Sequence, residues 1–421
     1  MAPRTLTAPT PVDRAMRAFP VHHPDAQLRI GVLLHLTGTA PHIDRLRARV
    51  GDRLPALPAL THFLTDAGRG WAREECPDPV RHVVEHALPP GPGQVERAVQ
   101  RLIRRPLPEA APHWRVWLLH GHEPGRYALL YLVHHSMQDG AGMLHTLETL
   151  FTPHGTPDRE SSAVFAALSP TPRVTFPDRL QALATAAGAT ARSRIWASAR
   201  YPLSPRRRFR WAEVPTARLR AVGRSRGGSA NDAYLATLAH AVQDWGTCHW
   251  PPAGRSPELP LIMPTNIRRP EEAAAPGNRT AMVRLVLPGG SMPLARRLDG
   301  AVRATEPLKS VGLREALRRV AASMPGVPAS VLPRLLRTVV TPATAAMGVS
   351  GLVLRHRLEF DGDPVTRVLP VGCLPEASPL GTLMVTYEGV SAACFMTDRA
   401  LPGLGTLHER WRRTVVGAAD R

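Results

Sequence analysis

The sequence predicts an α/β fold of the layered α+β kind. Three observations predict it. A chain of 421 residues is the length of two ordinary domains or one large one. Hydrophobic residues make up 43%, enough to bury a sizeable core, and no long block has the low hydrophobicity of a disordered segment. Strand-type runs and helix-type spacings occur in both halves, which suits two layered domains. Aromatic residues are scarce at 5%, so the core must rest on Leu, Val and Ala.

Taken in chain order, Ile30 to Leu36 (IGVLLHL) reads as a buried strand. From His42 to Leu54 the apolar positions Ile43, Leu46, Val50 and Leu54 fall on one helical face. Val95 to Ile103 is a second amphipathic helix, stopped by Arg105-Pro106. Trp114 to Leu119 and Tyr127 to Val133 read as strands around the turn-like segment HGHEPGR. The second of these is apolar at every position, as in a central strand covered on both faces. Met143 to Phe151 returns to helical spacing. Pro153 to about Pro177 is rich in Pro, Ser, Thr and Gly and reads as a linker, followed by an Ala- and Arg-rich helix from Asp178 to about Arg200. Asn231 to Trp245 is the best helix of the second half, capped by Asn231 or Ser229. Leu259 to Met263 reads as a buried strand, and Leu383 to Tyr387 with Ala392 to Met396 as a hairpin around Glu388-Gly389. The expected division is 1–155, a crossover segment 156–200, and 201–421.

The charge is strongly basic, net +19, and nearly all of it is arginine, because Lys309 is the only lysine. Such a field favours acidic partners: nucleic acid, an anionic membrane face, the phosphates of coenzyme A, or an acidic carrier protein. An arginine-rich coding bias would give the same number. Cys76, Cys248, Cys373 and Cys394 are widely spread with no CxxC pair, so neither a zinc framework nor a small disulfide scaffold is expected. Reduced thiols and an N-terminus without an apolar signal core point to the cytoplasm, with peripheral membrane contact as a further expectation. Thr338 to Leu354, the most apolar stretch, contains Pro342 and two glycines and reads as buried core rather than a spanning helix.

The chemistry is expected in YLVHHSMQDGAGM. His134 and His135 end a buried strand, and Asp139-Gly140 follows before a helix begins. Successive strand side chains point to opposite faces, so the two histidines cannot share one role. Gly140 and Gly142 permit a tight turn and close backbone approach. A chance HHxxxDG would arise in roughly one of several hundred chains of this composition. Two plainer readings stay open: the residues simply close a strand–helix turn, or His135 and Asp139 hold a metal. The glycines argue against a helix between those two, and no third ligand motif is present, so no metal is expected.

In this setting HHSMQDG resembles the motif of the wax ester synthase/diacylglycerol acyltransferase family. That family shares a superfamily with chloramphenicol acetyltransferase and the condensation domains of nonribosomal peptide synthetases. Five further segments resemble the family in the same order. They are DPVRHVVEHALP with RPLPEAAPHWRVWLLHG before the motif, then GGSANDAYLATLAHAV, PTNIRRPEEAAAPGNR and TYEGVSAACFMTDRALP after it. The chain departs from the family in three places, PTNIRR being unusual at its position, and is somewhat short for a storage-lipid enzyme. MGVSGLVLRHRLEF stands where a Ser-Asn-Val-Pro-Gly-Pro-like segment is expected, and Met137-Gln138 replaces small residues inside the motif.

The resemblance implies two chloramphenicol-acetyltransferase-like halves forming a pseudodimer, with an interdomain active-site tunnel. It implies an acyl thioester, acyl-CoA or carrier-protein phosphopantetheine, as co-substrate, no permanently bound cofactor, and an alcohol or amine acceptor. His135 would be the general base, His134 a packing residue, and Asp139 a structural residue paired with an arginine, for which Arg268 is the candidate. Asn231, Met137, Gln138 and Thr386 are candidate substrate contacts, and Thr386 and Ser378 candidate oxyanion donors. Arg206, Arg207, Arg208 and Arg210 read as a solvated edge or as a phosphate contact. An O-acyltransferase, an amide-forming condensation enzyme, a basic nucleic-acid-binding protein and a degenerate, non-catalytic superfamily member remain open, the intact HHxxxDG arguing against the last of these. The nucleic-acid-binding reading lacks a recognisable binding motif, so no nucleic-acid partner is expected.

Overall fold

The computed structural model describes residues 8–19, 21–65, 70–109, 111–153, 173–197, 200–322, 331, 334, 338–339, 341–375 and 378–419. Within them the first half supplies β1 (Arg29–Thr37), β2 (His62–Leu64), β3 (Trp71–Arg73), β4 (Val83–Ala87), β5 (Trp114–Glu123) and β6 (Arg126–His134). Its longer helices are α1 (Pro11–Arg17), α2 (Ile43–Arg53), α3 (Gln94–Leu102) and α4 (Gly140–Phe151). The rest supplies β7 (Arg207–Pro215), β8 (Glu258–Asn266), β9 (Thr280–Pro288), β10 (Met347–Val353), β11 (Glu359–Phe360), β12 (Asp363–Val371), β13 (Leu380–Tyr387) and β14 (Val390–Asp398). Helices α5 (Phe176–Gly188), α6 (Thr216–Arg224), α7 (Ala230–His249), α8 (Leu294–Thr305), α9 (Val311–Ala322) and α10 (Leu407–Ala419) accompany them.

Two six-stranded mixed sheets result, in the orders β11-β12-β1-β6-β5-β4 and β7-β14-β13-β10-β8-β9. The apolar run of β6 lies between β1 and β5, which explains why it alternates so little. Strand β12 lies late in the chain yet pairs antiparallel with β1, so the first sheet is completed from within 201–421. A shared core joins the sheets: Leu33, Trp117, Leu130 and Leu132 of the first meet Phe209, Leu383, Ala392 and Met396 of the second. Helix α7 is buried on nearly every side and packs against α6, α8 and α10. Ser229, not Asn231, caps it. The Ser229 hydroxyl accepts from Asp232 N at 3.2 Å, and the Asp232 carboxylate accepts from Ser229 N at 2.7 Å.

Two readings change on folding. The helix expected from Asp178 to about Arg200 ends at Gly188. Beyond it Ser193 N donates to Ala343 O at 2.6 Å and Trp196 Nε1 to Ala346 O at 2.8 Å, so tertiary contacts override helical composition. The basic run at Arg206 to Arg210 enters β7, an edge strand, with Arg207 and Phe209 turned inward and Arg210 outward. Of the expected linker 153–177, residues 154–172 lie outside the described residues, and Phe176 and Pro177 already begin α5.

Gly31 of β1 sits opposite Leu132 of β6, where an added Cβ would lie 2.0 Å from the Tyr131 carbonyl oxygen. Gly31→Ala is therefore expected to destabilise the protein by about 1–3 kcal/mol, as overpacking does. Urea denaturation followed by circular dichroism measures it, and an unchanged midpoint would contradict the tight β1–β6 approach.

Candidate active site

Strand β6 delivers the two histidines to different surroundings. His134 is enclosed: the Ser136 amide donates to its Nδ1 at 3.2 Å, the Ser136 hydroxyl lies 2.8 Å away, and its ring meets His113 edge-on at 6.1 Å. Burial, with the charges of His113, Arg17, His135 and Arg29 acting the same way, pushes its pKa down to about 3, so it stays neutral. His135 instead lines a cavity. Its backbone N–H donates to Leu28 O at 2.8 Å. Burial lowers its pKa below the ordinary imidazole range, against the opposing pull of its own carbonyl, Asp139, Asn278 and the Gln138 backbone.

Asp139 ends the turn as the N-cap of α4, with Oδ1 accepting from Gly142 N at 2.8 Å. Its Oδ2 accepts from Arg268 Nη2 at 3.0 Å and from Arg279 N at 2.7 Å. Both partners of this pair are fully buried. Burial raises the Asp139 pKa, but the Arg268 charge and these amides outweigh it, and the net shift is downward. Arg268 also donates to the carbonyls of Glu272 at 2.7 Å, Ala275 at 2.8 Å and Gly277 at 2.8 Å. The loop from Asn266 to Arg279 is thereby wound round one guanidinium and laid against the motif.

The contact continues on the motif's other side. Gly277 N donates to Met137 O at 2.6 Å. Asn278 Nδ2 donates to His135 O at 2.7 Å and to Asp13 Oδ1 at 2.8 Å. Arg279 lies 3.8 Å from Asp13 and 3.5 Å from Glu272, and Arg318 grips Glu272 with two bonds of 2.7 and 2.9 Å. Asp13 carried no motif that would have singled it out, and Glu272, Asn278 and Arg279 lie in the segment PTNIRRPEEAAAPGNR, of which only Arg268 was singled out.

The cavity measures about 480 Å³ and lies between the halves. Helix α4 lines it with Gly140, Leu144, His145 and Glu148, α1 and the residues after it with Met16 and Phe19, and β1 with Ile30. Strands β8, β10 and β13 form the opposite wall, where Ser350, Ser378 and Thr382 bring hydroxyls. His145 has its pKa pushed down to about 4 by burial and by Arg268. The apolar stretch read as buried core becomes β10, a central strand whose length faces this space.

Other expected contacts lie elsewhere. Met137 is buried in the core of the first sheet, because the Gly277 bond turns its backbone away from the cavity. Gln138 is buried between the Tyr131 hydroxyl, which donates to its Oε1 at 2.8 Å, and Thr146 Oγ1, which accepts from its Nε2 at 2.8 Å. Thr386 bonds Ser391 at 2.8 Å, off the cavity wall. Asn231 lies behind that wall, its amide oxygen against the backbone of Gly351. Arg207 is buried, donating to Pro375 O at 2.7 Å, and so is no phosphate contact. Among the described residues no group of three His, Cys, Asp or Glu side chains is placed to hold a metal ion.

Removing one member of a buried ion pair costs about 3–5 kcal/mol. Asp139→Asn and Arg268→Ala are each expected to lose that much, and the double variant less than the sum, because contacting residues couple. Thermal and urea melts of the three test it; additive losses would show that the pair is not coupled. The depressed Asp139 pKa contributes stability that is present above the ordinary aspartate value and is lost as pH falls through its folded value. The acid decline of stability should accordingly be shallower in Asp139→Asn.

Residues 22–171 match the family "Wax ester synthase/diacylglycerol acyltransferase catalytic domain". A putative diacylglycerol O-acyltransferase of Mycobacterium tuberculosis is 28% identical over 240 residues, 53% of this chain and 52% of that protein. A probable diacylglycerol O-acyltransferase of the same species is 27% identical over 403 residues, 86% of this chain and 84% of that one. The chain thus spans about half the length of the first relative. Among solved structures, the wax ester synthase/diacylglycerol acyltransferase of Marinobacter aquaeolei VT8 superposes with TM-score 0.63 at 18% identity, covering 98% of both chains. A mutant starter condensation domain of rhizomide synthetase, in complex with C8-CoA, gives 0.65 at 17%, covering 99% of this chain and 95% of that one. The two-sheet architecture is therefore the two-half α/β fold of these proteins. The segment that carries HHSMQDG is thus similar to the wax ester synthase/diacylglycerol acyltransferase catalytic domain, and the whole chain shares its fold with that family's solved member and with condensation domains.

Proposed function

We propose that the protein is an acyltransferase that moves an acyl group from a thioester to a hydroxyl acceptor, with His135 as general base. One observation carries this reading: of the two motif histidines, His135 opens into the cavity between the halves and His134 does not. A base needs a free lone pair at working pH, and burial keeps His135 neutral there. His135 takes the acceptor's proton as its oxygen bonds to the thioester carbonyl carbon. The oxyanion that forms has the Ser350, Ser378 and Thr382 hydroxyls of the opposite wall as available donors. Collapse breaks the C–S bond, and the imidazolium returns the proton to the leaving thiolate. Asp139 holds the turn and takes no part in proton transfer.

The donor is an acyl-CoA or a carrier-bound acyl group; the related starter condensation domain holds C8-CoA. The basic surface steers its phosphates or an acidic carrier, so donor KM should rise with salt, and a KM flat between low and high salt would refute the steering. A second reading, amide formation on an amine acceptor, draws on the condensation-domain likeness and on β10, which occupies the place of the family's Pro-Gly segment. Among the described residues no helix is long and apolar enough to cross a membrane.

His135→Ala should fold and lose about 10²–10⁴-fold in single-turnover rate with an alcohol acceptor. His134→Ala should act mainly through stability. Intact-mass analysis of products from a panel of acyl thioesters with alcohols and amines identifies the bond made, and circular dichroism checks the fold. A folded His135→Ala that turns over an alcohol at the wild-type rate would refute the mechanism. For the wild type, kcat/KM should hold as pH falls to about 6.5, the ordinary histidine pKa, and decline only below it, where His135 gains its proton.

A further inference from the structure

A histidine acting as base at Nε2 must carry its resting proton on Nδ1. His135 Nδ1 is buried and makes no well-formed hydrogen bond, and its own carbonyl and the Asn278 side chain are the nearest hydrogen-bonding influences on the ring. Asn278 Oδ1 is a second buried atom in the same condition. The two residues touch, through the 2.7 Å bond from Asn278 Nδ2 to His135 O. The Asn278 amide cannot be turned end for end without cost. Its NH2 serves a carbonyl, His135 O, and a carboxylate, Asp13 Oδ1 at 2.8 Å, and both of these accept only from donors. That leaves Oδ1 as the amide's acceptor. Asp13 is itself fixed: it is fully buried, accepts from Asn278 N at 2.6 Å, and caps α1 through Thr10 N at 2.7 Å.

We infer that Asn278 is a positioning residue for His135, its Oδ1 taking the Nδ1 proton and so holding the tautomer that leaves Nε2 to face the acceptor, with Asp13 fixing the amide. The inference rests on the acyl-transfer reading. In each turnover Nε2 gains the acceptor's proton and returns it to the thiolate, while the Nδ1 proton stays against Asn278. The other charged and titratable groups acting on the imidazole are Asp139 in the same turn and His134 beside it; His145 on α4 lines the same cavity, Arg268 and Arg279 of the loop bond Asp139, and Asp13 stands behind Asn278. Substitution at 278 therefore changes one of several influences, and its sign is readable.

The experiment is ¹⁵N NMR of histidine-labelled protein, with His135 assigned by the signals missing from His135→Ala. The wild type should show the Nδ1–H tautomer, and Asn278→Ala should move it toward Nε2–H. Single-turnover rates should fall by about 10²-fold in Asn278→Ala, since a base in the wrong tautomer is idle. Asn278→Asp should raise the pH of the acidic limb by about one unit, because a new carboxylate favours the imidazolium. Asp13→Asn frees the amide to flip and should shift the tautomer the same way, and it carries the test if Asn278→Ala does not fold. An Nε2–H tautomer in the wild type, or an unchanged tautomer and limb in these variants, would overturn the inference. The tautomer is read without substrate, so a wild type that transfers no acyl group would count against the proposed function and not against this relay.

Discussion

A carboxylate and a guanidinium, both sealed from water, hold this site together. Two such ions are costly to bury, and their attraction offsets the cost only when their remaining hydrogen-bonding capacity is met. Here most of it is met by backbone, and Arg268 Nε alone of the guanidinium nitrogens has no partner among the described residues. Asp139 accepts two amides besides the guanidinium, and Arg268 donates to three carbonyls besides the carboxylate. The loop from Asn266 to Arg279 therefore has little choice of path. Once it is wound on Arg268, Gly277 reaches Met137 and Asn278 reaches His135. The histidine that faces the cavity owes its placement to an ion pair that does not face it.

The same device recurs away from the site. Arg29 donates to the carbonyl of Ile103 at 2.7 Å, Arg207 to that of Pro375, and Arg297 to that of Gly290 at 2.8 Å. Each guanidinium is buried and each ties a loop or element end that would otherwise leave carbonyls unpaired. A net charge of +19 therefore does not describe the surface alone. Part of the arginine content does internal work that a planar group with five donors suits and lysine does not.

The elements with clear periodicity were legible in the sequence, because local pattern and final burial agree: β1, α2, α3, β5, β6, α7 and the β13–β14 hairpin. The motif's place at a strand end was legible for the same reason. What was not legible depends on distant partners. Met137 and Gln138 sit inside the motif, yet the Gly277 bond and the Tyr131–Thr146 pair turn them into the core. Asp13 lies over a hundred residues from the histidine it helps to hold, and a lone aspartate near the N-terminus has nothing in its neighbours to mark it. Arg207 looks like its neighbours in RRRFRW until strand alternation sends it inward.

Strand β12 imposes an order of events on the growing chain. It fills the place beside β1 in a sheet whose other main strands lie before residue 135, and the segment between holds most of the second sheet. During synthesis β1 must wait with one edge unpaired until about Val371 has left the ribosome. An open edge beside a row of buried aliphatic side chains invites pairing with other chains. Contacts across such a separation also close slowly, since a long loop must be ordered first. The two halves are thus not independent folding units: the first is sealed by the second, and the reaction chamber can exist only after that late strand has docked.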